Sequence, residues 1–79
     1  MRRDGKIATA VGQVLSEARE HSGLTQEEVS NRARMDRSYV SDVERGEVAI
    51  SVERLIRICR ALEISASSLM ASVEARLRR

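Results

Sequence analysis

The sequence predicts an all-α fold, a compact five-helix bundle, and the prediction rests on three plain observations. The 79 residues contain no Pro, no Trp and no Phe, and 33% of them are charged. Aliphatic residues recur every three or four positions, the period of a helix that buries one face. Residues that cap helices stand ahead of most of these periodic stretches, and Gly closes two of them. A chain this short makes one small domain that buries only about 60% of its unfolded surface, so pairing with a second copy would add to a limited core. The domain is expected over residues 7–79, with residues 1–6 as a flexible tail.

The elements follow in order. Ile7, Val11, Val14, Leu15 and Ala18 form a helical stripe, which places a first helix at 7–21, ended by Gly23. His21 reads as a solvated residue near the negative end of that helix. "TQEE" sets Thr25 at an N-cap with Glu28 three residues on, a capping box that opens a short helix at 26–33. Leu24 and Val29 form a staple-like pair across its start. After the brief turn "ARM", Asp36 caps a third helix at 37–45, anchored by Val40 and Val43 and left through Gly46. Ser51 caps a fourth, reaching about Ala61, whose apolar residues Leu55, Ile56, Ile58, Cys59 and Leu62 cover over half the circumference, so it should be the most deeply buried. Ser65 caps the fifth, with Leu69, Met70, Val73 and Leu77 at helical spacing.

Charge and composition restrict the function. The net charge is +2, but Arg2, Arg3, Lys6, Arg76, Arg78 and Arg79 sit at the ends; residues 7–75 hold 8 Lys/Arg against 11 Asp/Glu, or 8 − 11 = −3. Binding to nucleic acid must therefore depend on where particular groups sit, with basic ends adding a salt-sensitive attraction. One Cys forms no internal disulfide, and Cys59 within "LIRIC" reads as a small buried hydrophobe in a cytoplasmic protein. No apolar run spans a membrane or forms a signal peptide. One His, one Cys, and the absence of clustered metal ligands or a Gly-rich phosphate loop leave little for catalysis, so neither an enzyme nor a cofactor or metal is expected. A single Tyr provides no stacking platform for single strands.

Two short helices joined by a tight turn, the second with one face free of apolar residues, have the geometry of a helix-turn-helix DNA reader, a geometry many small bundles share. The anchors "LTQEE", "SYVSDVERG" and "LIRICRALEIS", in that order and at these spacings, make residues 7–70 resemble the Cro-like, phage-repressor helix-turn-helix family, also called the xenobiotic-response-element (XRE) family. "DRSYVSDVERG" is most similar to its restriction–modification controller proteins.

The resemblance implies the lambda-repressor-like DNA-binding form of the five-helix bundle, with the second and third helices as the helix-turn-helix, and a set of roles. Thr25 and Gln26, at the positive end of the second helix, would meet DNA phosphate. Arg37 and Ser38, in the first turn of the third helix, would face base edges, Arg37 by two bonds to guanine. Ser41 would reach bases or phosphate. Asp42 would accept from a cytosine amino group or act by rejecting poor sites. Tyr39 and Arg45 would hold phosphates, although Tyr39 suits a packing role at the core edge equally well. Arg19 and Glu44 would form an ion pair that orients the reading helix. Where the family commonly has Gly in the turn, this chain has Arg34, which costs on the order of 1–2 kcal/mol if the turn requires a positive φ.

Leu69, Met70, Val73 and Leu77, with Leu62 and Ile64, offer more apolar surface than a terminal helix requires and point to a two-fold dimer. Its two reading helices would meet half-sites about 10 base pairs apart. The expected function is a homodimeric transcription regulator on a palindromic operator, with duplex DNA, a second copy and RNA polymerase as partners. An antitoxin or other protein-interaction module on the same fold is the competing reading.

Overall fold

The computed structural model describes residues 5–79, which form five helices: α1 (Lys6–His21), α2 (Gln26–Ala33), α3 (Arg37–Glu44), α4 (Val52–Leu62) and α5 (Ala66–Leu77). The tail expected at residues 1–6 lies outside the described residues up to residue 4, and Lys6 belongs to α1. The other helix limits fall within about a residue of those predicted.

The local signals explain the boundaries. Thr25 accepts from the Glu28 amide at 3.0 Å, while the Glu28 carboxylate accepts from the Thr25 amide at 2.8 Å, closing the capping box. That backbone bond holds the Glu28 carboxyl below its ordinary range. Ser51 and Ser65 cap α4 and α5 by accepting from Arg54 N and Ser68 N. Asp36 departs from expectation, since it occupies the N-cap of α3 through its extended backbone but its side chain makes no capping bond.

One core runs through the bundle. α1 packs on α5 and α3, α2 packs on α3 and α4, and α4 also touches α5. Leu15, Val29, Val40, Val43, Ile58, Cys59, Leu62, Leu69 and Val73 are buried in it. Cys59 is a free thiol pushed up in pKa by burial, consistent with a packing role. α4, expected to be the most deeply buried helix, buries Ile58, Cys59, Ala61 and Leu62, a share of its residues similar to that of α1, which buries Ala10, Val11, Gly12, Val14 and Leu15; Ile56 is exposed and Leu55 only partly covered, so less of the circumference of α4 faces the core than its apolar residues suggested.

Burial also corrects the dimer set. Leu62, Leu69 and Val73 are 5%, 3% and 1% exposed inside a single chain, so they close the core instead of offering a surface. Ile64 is half-buried, and only Met70 and Leu77 of that group remain exposed. Nor is Arg76 part of a free basic end. It pairs with Glu17 at 2.8 Å and ties α5 to α1, holding the Glu17 carboxyl low.

Gly12, which the sequence did not single out, sets how closely α1 and α3 approach. A Cβ there would lie 2.3 Å from the Val43 carbonyl oxygen and 2.7 Å from that of Glu44. Gly46 leaves α3 at φ 74°, with Thr9 so close that a Cβ would meet its Cα at 2.9 Å. Glycines thus let α1 and the exit of α3 lie backbone to backbone.

Candidate nucleic-acid interface

The site starts from the turn between α2 and α3. Arg34 ends α2 at φ 59°, the left-handed conformation that glycine adopts at least cost. Its amide bonds the Asn31 carbonyl and the Met35 amide bonds that of Ser30, closing the helix end. Arg57 of α4 then donates from Nε to the Ala33 carbonyl at 3.0 Å and from its terminal nitrogen to the Arg34 carbonyl, so carbonyls left over at the end of α2 are satisfied by a neighbouring helix. Ser30, buried in α2, donates to the Glu27 carbonyl at 2.8 Å.

From that turn α3 runs with Val40 and Val43 buried at 2% and 1% exposure and Arg37 and Ser38 fully at the surface. The two faces diverge because Val40 and Val43, three residues apart, share the inner side, whereas Ser38 and Asp42, four apart, point away from it with Arg37 and the half-buried Ser41 on the flank between. That outer side presents a guanidinium and two hydroxyls beside a carboxylate, groups that can donate to and accept from base edges.

Under α3, Glu44 gathers three elements. Arg19 of α1 grips it with both Nε and a terminal nitrogen, at 2.6 and 3.1 Å, and gives its remaining nitrogen to the Leu24 carbonyl at 2.8 Å. Gln26 of α2 donates to the same carboxylate at 2.9 Å. The side chains of Arg19 and Glu44 are only 14% and 7% exposed, and the bond to Glu44 raises the Arg19 pKa. This clamp fixes α3 relative to α1 and to the start of α2.

Several expected contact residues have other partners in this structure. Gln26 is turned to Glu44, with a second amide hydrogen left to donate. The Thr25 amide donates to Glu28 and its hydroxyl oxygen accepts from the Glu28 amide, leaving the hydroxyl hydrogen to donate. Arg45 is engaged with Ser41, with Asp42 at 2.6 Å and with Glu47 at 3.2 Å, so its charge is shared with two carboxylates before any phosphate arrives. Asp42 is correspondingly neutralised by Arg45. Tyr39 packs partly buried against the core with the Arg54 guanidinium 4.7 Å above its ring, which favours its packing role. Sequence reasoning missed both Arg54 and Arg57; an arginine one turn or more along α4 carries no signal of what it will reach across the fold.

The pair α2–turn–α3, with one outward polar arc and a clamp behind it, has the architecture of a helix-turn-helix domain. Residues 15–69 match the family model described as Helix-turn-helix, and the chain belongs to that family, in its Cro-like, XRE type.

Particular relatives sharpen the placement. The transcriptional regulator ClgR of Mycobacterium tuberculosis is 38% identical over 73 residues, which cover 92% of this chain and 65% of the relative's length. The clp gene regulator ClgR from Corynebacterium glutamicum superposes with a TM-score of 0.88 at 28% identity, over 91% of this chain and 77% of that one. The restriction-modification controller protein C.AhdI from Aeromonas hydrophila is 37% identical over 78% of this chain and 94% of its own, with a TM-score of 0.76. The controller protein C.Esp1396I, solved as a tetramer in complex with its natural 35 base-pair operator, matches at 0.84 with 25% identity, over 92% of this chain and 96% of that chain.

Proposed function

We propose that the chain is a sequence-specific transcription regulator without enzymatic activity, which binds duplex DNA as a homodimer on a palindromic operator. The observation that carries this reading is α3 itself, with two valines buried on one side, Ser38 and Asp42 pointing away with Arg37 and Ser41 on the flank, and the Arg19–Glu44–Gln26 clamp behind. Phosphates would meet the start of α2, where first-turn amides, the Thr25 hydroxyl and the free amide hydrogen of Gln26 converge. Arg37 reads guanine, Ser38 and Ser41 adapt to either kind of base edge, and Asp42, with Arg45 beside it, penalises sites that would crowd a carboxylate with phosphate. The operator complex of a controller protein with the same fold supports duplex DNA as the ligand.

Besides Ile7 on α1, the large apolar side chains that the single chain leaves exposed are Val52 and Ile56, one turn apart on α4, and Met70 and Leu77, two turns apart on α5, and the dimer would use these last four. A regulator placed at a promoter in this way would act beside RNA polymerase in the cytoplasm.

Selection of bound sequences from random duplexes, followed by gel shift at moderate salt, tests the reading. A palindromic consensus with half-sites about 10 base pairs apart is expected; absence of any sequence preference would sink the regulator and favour a protein-interaction module. Sedimentation should show a dimer that Ile56→Glu or Met70→Glu dissociates, and two unchanged dimers would place the interface elsewhere.

A further inference from the structure

Arg32, Arg34, Arg57 and Arg60 line an open groove of about 310 Å³ between the end of α2 and the last turns of α4, with a single carboxylate, Glu63, at its edge. Residues 7–75 carry 8 Lys/Arg against 11 Asp/Glu, so four guanidiniums here reverse the local sign of charge. They are not equivalent. Arg57 is spent on the Ala33 and Arg34 carbonyls, and Arg32 acts on the Glu28 carboxylate one turn back. The side chains of Arg34 and Arg60 are exposed and make no hydrogen bond or ion pair with any other described residue.

The position of the groove indicates what it would hold. Arg34 stands in the turn three residues before Arg37, the first residue of α3, so one end of the groove is joined by that turn to the start of the proposed reading helix, and the groove continues along α4 to Arg60. Duplex DNA that extends beyond the half-site under α3 would pass that turn. Arg34 also keeps a long cationic side chain at a left-handed backbone position that disfavours any side chain. We infer that this groove holds backbone phosphates of duplex DNA flanking the half-site that α3 reads, so that the contact extends beyond the sequence being recognised. The inference rests on the DNA-binding reading above and adds a sequence-independent contact to it.

The test uses the full chain and the Arg34→Gly/Arg60→Gln double variant. Gly relieves the left-handed residue and Gln suits an exposed helix position, so the variant should melt no lower than the parent. Arg57 is left in place because it holds the turn. Two duplexes carry the selected operator, one ending at the half-site edges and one extended by about 10 base pairs on each side. The parent should bind the long duplex several-fold more tightly and with a steeper salt dependence. The double variant should bind both alike, with a salt slope on the long duplex shallower by about 2 per protomer, close to one per phosphate released. Arg60→Lys should keep the length dependence.

A double variant that retains the full advantage of the long duplex would overturn the inference while leaving the DNA reading intact. Equal losses on both duplexes would overturn it too, because the arginines would then act within the half-site. Unchanged DNA binding together with lost binding to an acidic peptide such as poly-glutamate would reassign the groove to a protein partner. Failure of the parent to select any sequence is a different result, and would remove the DNA reading itself.

Discussion

Glu44 and Arg45 are neighbours in the chain, yet their ion pairs belong to different regimes. Glu44 lies beneath α3, 7% exposed at its side chain, held at 2.6 and 3.1 Å by Arg19 and at 2.9 Å by Gln26. Arg45 lies on the outer side, 54% exposed, between Asp42 and Glu47. The chemistry is a guanidinium with carboxylates in both places, and solvent makes the difference. A shielded, bidentate pair with an added amide bond resists rearrangement, whereas an exposed one is screened and can exchange partners with an arriving phosphate. The inner network fixes α3 against α1 and α2; on the proposed function, the outer one is a reservoir of charge that DNA would redistribute.

The sharpest way to break this contrast is Glu44→Ala. It strands the Arg19 guanidinium and removes the partner of Gln26, so unfolding stability should drop by about 3 kcal/mol in a denaturant titration, with operator binding lost in parallel. A loss under about 1 kcal/mol would reduce the clamp to an ordinary surface pair. Asp42→Asn should have a much smaller effect. The unfolding midpoint should stay where it is, while affinity for random duplex rises because Arg45 is freed from its closest carboxylate and a negative charge leaves the DNA face. A lower midpoint would show that the outer network is structural after all, and a lower DNA affinity would make the Asp42 carboxylate a reader of bases.

Much of the fold was legible in the sequence because helix limits are written locally. Thr25 with Glu28, Ser51 and Ser65 announce helix starts through their own side chains, and the observed caps use those residues. For Arg34, which stands where the resemblance commonly has Gly, the sequence left open a turn with a positive φ or one of another shape, and the structure has the positive φ. What remained hidden depends on distances between helices. Leu69 and Val73 have the same spacing whether a stripe faces its own core or a partner, and only the packing of α5 on α1 decides that they are core. Gly12 inside α1 gives no sign that the α3 backbone passes over it. The capture of Asp42 by Arg45 and of the turn carbonyls by Arg57 reflects choices among several charged neighbours, which spacing alone leaves open. Of the residues expected to read bases, Arg37 and Ser38 are exposed, while Ser41 and Asp42 are half-buried and engaged by Arg45.

The central claim is that α3 is held from behind so that its first turn can read sequence. Arg37→Ala tests it most directly, by comparing affinity for the selected operator with affinity for random duplex at one salt concentration. The account predicts a loss of about 1–3 kcal/mol on the operator and almost none on random DNA. An equal loss on both would contradict it, because Arg37 would then be holding phosphate and the helix would not be reading bases at its first turn.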